Sequence, residues 1–303
     1  VKKRLKKRIS RQLEDMIQMK TIIELYRLVK LELYRYYKQR NFIISYIGIF
    51  VFTVFMVWLY NRSDLRVLKL GAGTLKEDYK DFVNGIHFAK VCTEYNFFVL
   101  MPIFVSLCGG AVFGREASKG LIKELLISQV ARWKLLTAKY LAVSLNVVLL
   151  VVFLNVISLV LGYIFFGAGP LLCYSSGDLG IRDPFLLSQT SGLFRMFSGG
   201  ILMWIALWAL ASVTFLLSVI FQSSVTASIT GITAYFVGYL IGLQEASKPI
   251  RKYILNDAMY KWKLTYYQTI PWDRLNRALI VLGAYIVVCF VISGVVFHKR
   301  DIR

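Results

Sequence analysis

The chain has 303 residues, 57% of them hydrophobic and only 18% charged, and its 37 Lys and Arg outnumber 17 Asp and Glu to leave a net charge of +20. An ordinary soluble domain carries roughly 45–50% apolar and about 25% charged residues, so a soluble enzyme and a disordered chain are both excluded. A basic nucleic-acid binder has no use for long uncharged runs, and this chain has six, so no nucleic-acid partner is expected.

Residues 1–20 open on VKKRLKKRISR, a basic stretch suited to holding that end in the cytoplasm against anionic headgroups. From about Met16 to Arg40 the pattern turns amphipathic. Ile22, Leu25, Val29, Leu33 and Tyr36 recur at helical spacing among Lys20, Arg27, Lys30, Arg35 and Lys38. Residues 1–41 therefore read as a cytoplasmic segment with an interfacial helix leading into the first span. No cleavable signal peptide is expected, because these residues form no early apolar core.

Residues 42–303 read as a six-span transmembrane domain. The uncharged runs are Phe42–Tyr60, Phe97–Phe113, Leu141–Phe166, Gly199–Phe221, Val225–Leu243 and Leu279–Phe297. About 20 apolar residues in a helix cross a hydrocarbon core roughly 30 Å thick. The runs lack the alternation of a barrel strand, which leaves helix as the spanning structure. The fold class predicted is all-α, a polytopic membrane protein with six transmembrane helices. Pro102, inside the second and shortest run, predicts a kinked or tilted span.

Six spans put both termini on one side. Residues 1–41, 114–140, 222–224 and 298–303 hold 22 basic and 7 acidic residues, against 15 and 10 in 61–96, 167–198 and 244–278. This bias predicts a multi-pass protein of the plasma membrane with both termini cytoplasmic. The cytoplasmic connector 114–140 sets an apolar stripe of Leu121, Ile122, Leu125 and Leu126 against Glu116, Lys119, Lys123 and Glu124. It reads either as a helix that docks on a soluble partner or as a simple connector. The last outer loop is aromatic, with Tyr253, Tyr260, Trp262, Tyr266 and Tyr267. It reads as belt aromatics at the membrane interface, or as short helices lying on the outer leaflet or capping a vestibule.

The sequence offers little reactive chemistry. It has no phosphate-binding loop and no stretch between runs long enough for an ATPase domain. No catalytic residue, bound cofactor or metal site is expected, and His87 and His298 fall on opposite sides of the membrane. Cys108 and Cys289 lie within runs. Cys92 and Cys173 both fall in outer loops, where a disulfide between them is one option. None of the runs carries Asp, Glu, Lys, Arg or His, which weakens the reading as an ion-coupled carrier. Thr226, Thr230 and Thr233 share one face of the fifth run, alongside Gly231, Gly238 and Gly242. They make either a helix-helix seam or a mildly polar wall of a transport path. Asn146 and Asn155 in the third run are expected to hydrogen-bond between helices.

Taken in order, these features resemble the membrane-spanning (permease) subunit of an ABC-2 type transporter over essentially the whole chain. The resemblance is carried by the basic amphipathic start, six spans, the short FQSSVTAS connection and the ending FHKRDIR. Its most specific part is EASKGLIKELLISQVARWKLLTAKYL, where Glu116, Lys119, Gly120, Leu125, Leu126, Arg132 and Lys139 match the family pattern. Gln129 and Ala131 stand where the family has Pro and Ser. The resemblance implies a transport subunit that is not itself an enzyme, paired with a second membrane subunit as a homo- or heterodimer in membrane lipid. A separate ABC ATPase subunit would use ATP and Mg. The coupling segment would run from Glu116 to Arg132 and include Lys123. Leu107, Gly110, Thr226, Thr230 and Thr233 would face the partner and the translocation path. The function implied is export of an amphipathic peptide, drug or lipid-like substrate. An antimicrobial-peptide sensing or immunity module, or an ABC-2 Na⁺ exporter, are the alternatives.

Overall fold

The structure, a computed structural model, describes residues 23–38, 40–61, 84–118, 131–173, 185–244 and 249–299. A helix, α1, covers 23–37. It is followed by α2 (Arg40–Asn61), α3 (Gly85–Phe98), α4 (Leu100–Ser118) and α5 (Arg132–Phe166). A short strand pair, β1 (Leu171–Cys173) and β2 (Phe185–Leu187), precedes α6 (Gln189–Phe221) and α7 (Ser224–Leu243). A 3₁₀ turn (Arg251–Tyr253), α8 (Leu255–Tyr260) and a second 3₁₀ turn (Lys261–Tyr266) lead into α9 (Trp272–Lys299). Among the described residues six helices, α2, α4, α5, α6, α7 and α9, are long and apolar enough to cross a membrane. The chain is a mostly helical, multi-pass membrane protein. The antiparallel β1–β2 pair, with Leu172 opposite Leu186, is a small departure from an all-α fold.

The helices outrun the uncharged runs. With 35 and 33 residues, α5 and α6 are each about 50 Å long at 1.5 Å per residue, well beyond a hydrocarbon core of about 30 Å. Ser118, Arg132, the α6–α7 turn and Lys299 lie at one end, the basic end. Asn61, Gly85, Phe166, Gln189, Leu243 and Trp272 lie at the other, the cap end. At the basic end α6 turns into α7 through Gln222 and Ser223. Gln222 takes a left-handed φ of 53°, and the Ser223 hydroxyl accepts from Thr226 N at 3.4 Å to start α7.

One expectation is corrected here. Residues 85–96 are not outer loop: with Phe97 and Phe98 they form α3, which is buried along most of its length and packs on α5. Close approach of the two backbones explains Gly85 and Gly162, since a Cβ on Gly85 would come within 2.7 Å of the Gly162 backbone. The Pro102 kink is realised as a break between α3 and α4 at Val99. Pro102 has no N–H for the Phe98 carbonyl four residues back, and its ring crowds that position. The freed Phe98 carbonyl accepts from the Tyr235 hydroxyl at 3.1 Å instead, so the break ties α3 to α7.

At the centre lies α6, in contact with α4, α5, α7 and α9. The closest packing joins α4, α6 and α7. A Cβ on Gly109 would strike Thr214, one on Gly110 would strike Ser228, and one on Gly114 would strike the Ser223–Ser224 backbone. Small side chains are what let helices in a membrane approach this closely.

Candidate functional site

At the basic end, α1 buries a stripe made of Val29, Glu32 and Tyr36. An acid on the buried face of an amphipathic helix needs a partner, because an unpaired buried charge is costly. The partner is Lys139 of α5, itself 0% exposed. Its ammonium lies 3.1 Å from both Glu32 carboxylate oxygens and 2.7 Å from Glu116 Oε2 on α4. Arg35, on the half-exposed rim, reaches Glu32 Oε1 at 3.5 Å and Glu116 Oε1 at 3.4 Å. Two cations and two anions thus close a neutral square over three helices. The Tyr36 hydroxyl donates to the Cys108 carbonyl at 2.9 Å. Burial, and then the nearby Cys108, Glu32 and Glu116, push its phenol well above the usual range and keep it a donor. A more exposed bridge, Lys134 to Glu24 at 2.6 Å, adds a second tie between α5 and α1.

This node straddles the connector singled out in the sequence. Glu116 ends one flank, Arg132 opens α5 on the other, and Lys139 sits two turns further along. The Glu116–Lys139 bridge closes the base of the connector. Lys119, Gly120, Lys123, Leu125 and Leu126 lie outside the described residues. Glu32 escaped the sequence reading, although it left a signal: it stands three residues after Val29 and four before Tyr36, within the apolar stripe. The node holds no nucleophile–base pair. Its chemistry is positional, locking α1, α4 and α5 together through charge.

The path residues are not brought together. Gly110 is buried against Ser228 and Leu107 is half-buried. Thr226 and Thr233 are exposed on the opposite face of α7, with Thr230 partly so. Within one chain they line no common surface. Gly238 makes room for Asn256 of α8, whose amide donates to the Tyr235 carbonyl at 3.0 Å, whereas Gly242 has nothing near it. Asn155 donates to Val151 of its own helix at 2.8 Å rather than across helices.

The cap end is closed differently. Arg195 of α6 donates to the carbonyls of Thr265 at 2.7 Å, Gln268 at 3.3 Å and Tyr267. Lys90 sits 5.3 Å over the Tyr266 ring, and Trp262 meets Phe97 edge-on at 5.4 Å. The aromatic loop is thus folded into short helices. Trp262 and Tyr266 are buried and Tyr253 is exposed. Asn84 caps α3 by accepting from His87 N at 3.2 Å and donates to the Pro170 carbonyl. Burial of the His87 ring, and then the charge of Lys90, lower its pKa to about 4. The Cys92–Cys173 disulfide is not formed. Both thiols are free and buried, Cys92 in a cluster with Tyr60 and Phe88, Cys173 in the main core. Burial raises both above the usual thiol range. Among the described residues no group of His, Cys, Asp and Glu could hold a metal ion.

Comparison with known proteins bears on the same region. The chain is similar to the uncharacterized protein YhcI of Bacillus subtilis (strain 168), 26% identical over 231 residues, which cover 70% of this chain and 68% of that protein. A family model described as a protein of unknown function, DUF2705, matches residues 76–303. That span takes in α3 to α9, with both Glu116 and Lys139, and leaves out α1 and Glu32. The match extends over most of the sequence, and the chain belongs to the DUF2705 family.

Proposed function

We propose that this protein is the membrane subunit of an ATP-driven exporter of the ABC-2 type, working with a separate ATPase and a second membrane subunit. The reading is supported above all by the bridge from the fully buried Lys139 to the part-buried Glu116, which closes the base of a basic, amphipathic connector between two spans. A force on that connector is passed to α4 through Glu116, to α5 through Lys139 and to α1 through Glu32 and Arg35. Rigid-body motion of packed helices is a common form of such switching. The partner ATPase supplies ATP hydrolysis with Mg, and this chain supplies the lever and the path. The uncharged runs within the spans suit an amphipathic peptide, drug or lipid-like cargo.

The test is co-expression with the candidate ATPase, co-purification, and cargo-stimulated ATP hydrolysis in liposomes. Glu116→Lys and Arg132→Glu are expected to release the ATPase or uncouple its hydrolysis from cargo. Normal complex formation and turnover in both variants would refute the coupling role. Uptake of cargo into inverted vesicles identifies export. Stimulation without uptake identifies a sensing or immunity module instead.

A further inference from the structure

The inner face of α2 carries two buried hydroxyls, Ser45 and Thr53, about 12 Å apart along the helix. Each meets a cysteine thiol from a neighbouring helix, and each thiol also meets a polar side chain of α5. At the station nearer the cap end, Thr53, Asn96 of α3 and Ser158 of α5 converge on the Cys92 thiol. At the station nearer the basic end, Ser45 and Asn146 of α5 converge on the Cys108 thiol of α4. All of these side chains are buried. Neither station satisfies itself. Asn96 donates to the Cys92 carbonyl at 3.0 Å and to the thiol at 3.5 Å, which occupies its nitrogen. Turning the amide over would set Oδ1 against that carbonyl, acceptor to acceptor. Oδ1 is thus left with no partner among the described residues. Thr53 bonds back to the Ile49 carbonyl at 2.8 Å. The Ser158 hydroxyl lies beside the thiol without a hydrogen bond of its own. At the other station neither Oδ1 nor Nδ2 of Asn146 has a partner among the described residues.

Leaving a buried polar group unpaired is less favourable than immobilising a water molecule that pairs it. The group that completes these stations must both donate and accept. Asn96 Oδ1 needs a donor, Asn146 needs one of each, and the Ser158 hydroxyl takes either role. A bare cation does not fit, because amide N–H groups and thiols stand among the would-be ligands. A lipid hydroxyl brings an acyl chain into a place shut off from the surface. Water has the size and the hydrogen-bonding valence. From this geometry we infer that ordered water is bound at both stations, so that α2 is joined to α3, α4 and α5 through a hydrated seam inside the membrane. Water exchanges its partners one at a time, which lets α2 shift along the seam without stranding a polar group. The inference stands apart from the transport reading, because it holds for a chain that engages no ATPase.

The free native thiols supply the test. Three full-length chains keep Cys92, Cys108 or Cys289 alone, with the other cysteines replaced by Ala. Each is placed in nanodiscs and transferred to D2O, and conversion of S–H to S–D is followed by infrared spectroscopy. Cys289, on α9, lies outside the seam and is the reference. Cys92 and Cys108 should convert at least about tenfold faster than Cys289, since a water held by two net hydrogen bonds is favoured by more than that factor. They should also convert ahead of the α2 backbone amides in the same sample. Asn96→Leu, similar in shape but apolar, should slow Cys92 about fivefold, the worth of one hydrogen bond, and leave Cys108 unchanged. Asn146→Leu should do the converse. If Asn96→Leu does not fold, Ser158→Ala carries the same test at the Cys92 station. Conversion of Cys92 and Cys108 no faster than that of Cys289 would overturn the proposal. So would conversion no faster than the α2 amides, which reports opening of the bundle rather than resident water. Unchanged rates in the station variants would overturn it as well.

Discussion

The two ends of the bundle are fastened by different chemistry. At the basic end four formal charges, Glu32, Arg35, Glu116 and Lys139, meet over three helices. At the cap end a single guanidinium, Arg195, gathers three backbone carbonyls, and aromatic rings fill the remaining space. Carbonyl and ring contacts are short-ranged and lock one arrangement. A square of charges offers its members alternative partners, since each carboxylate already faces both cations. The basic end is built to re-pair and the cap end to hold.

The largest expected effect breaks the charged end. Lys139→Met leaves the buried Glu32 and the part-buried Glu116 beside only the rim cation Arg35, and should destabilise the protein by about 3–5 kcal/mol. Urea titration in mild detergent would measure it. Adding Glu32→Gln and Glu116→Gln to Lys139→Met should restore most of the loss, because only the half-exposed rim cation Arg35 then stays charged. A triple variant no more stable than the single one would contradict this account.

Next in size is the cap. Arg195→Ala should cost about 2–3 kcal/mol, in line with hydrogen bonds from a charged donor, and should speed hydrogen exchange in 249–271. Arg195→Lys should recover only part, since an ammonium lacks the planar fork that reaches several carbonyls. The same end should also respond to pH. The His87 pKa lies near 4 in the fold against an ordinary 6.5, so below 6.5 the unfolded chain takes up a proton that the folded chain refuses. Stability is therefore full above 6.5 and is lost as pH falls toward 4, with a slope of at most about 1.4 kcal/mol per pH unit from this group. Thermal melts between pH 7.5 and 4.5 should show a dependence that His87→Gln flattens.

The smallest effects sharpen the comparison by serving as controls. Breaking Lys134–Glu24 at the basic end, or Lys263–Glu94 at the cap end, should cost under about 1 kcal/mol, as more exposed pairs do. If either matches Lys139→Met, burial is not what sets the node apart.

Much of this architecture could be read from the residues. Six uncharged runs of spanning length became six helices, because length and apolarity dictate a membrane span almost regardless of detail. Glu116 stood out in the sequence as an acid at the edge of the basic connector. Glu32 was not, because an acid in an amphipathic helix is ordinarily a surface residue, and only the distant Lys139 makes it a buried one. The helix α3 was hidden for a related reason. Its polar residues His87, Lys90, Thr93 and Asn96 read as loop, yet all are buried. The Asn96 amide, for example, returns to the Cys92 carbonyl at 3.0 Å. Local polarity predicts exposure only when no internal partner is waiting, and partners far along the chain leave no local trace.

The glycines facing Thr214, Ser228 and the Ser223–Ser224 backbone carry a kinematic consequence. With no side chain between them, α4, α6 and α7 have little slack for sliding or tilting against one another, and they act as one stiff beam. Any large displacement must then run along the boundary between that beam and the α2–α3–α5 slab. Spin labels at Leu107 and Leu216 should keep a fixed separation in every state, whereas a pair at Leu107 and Leu149 should report the stroke.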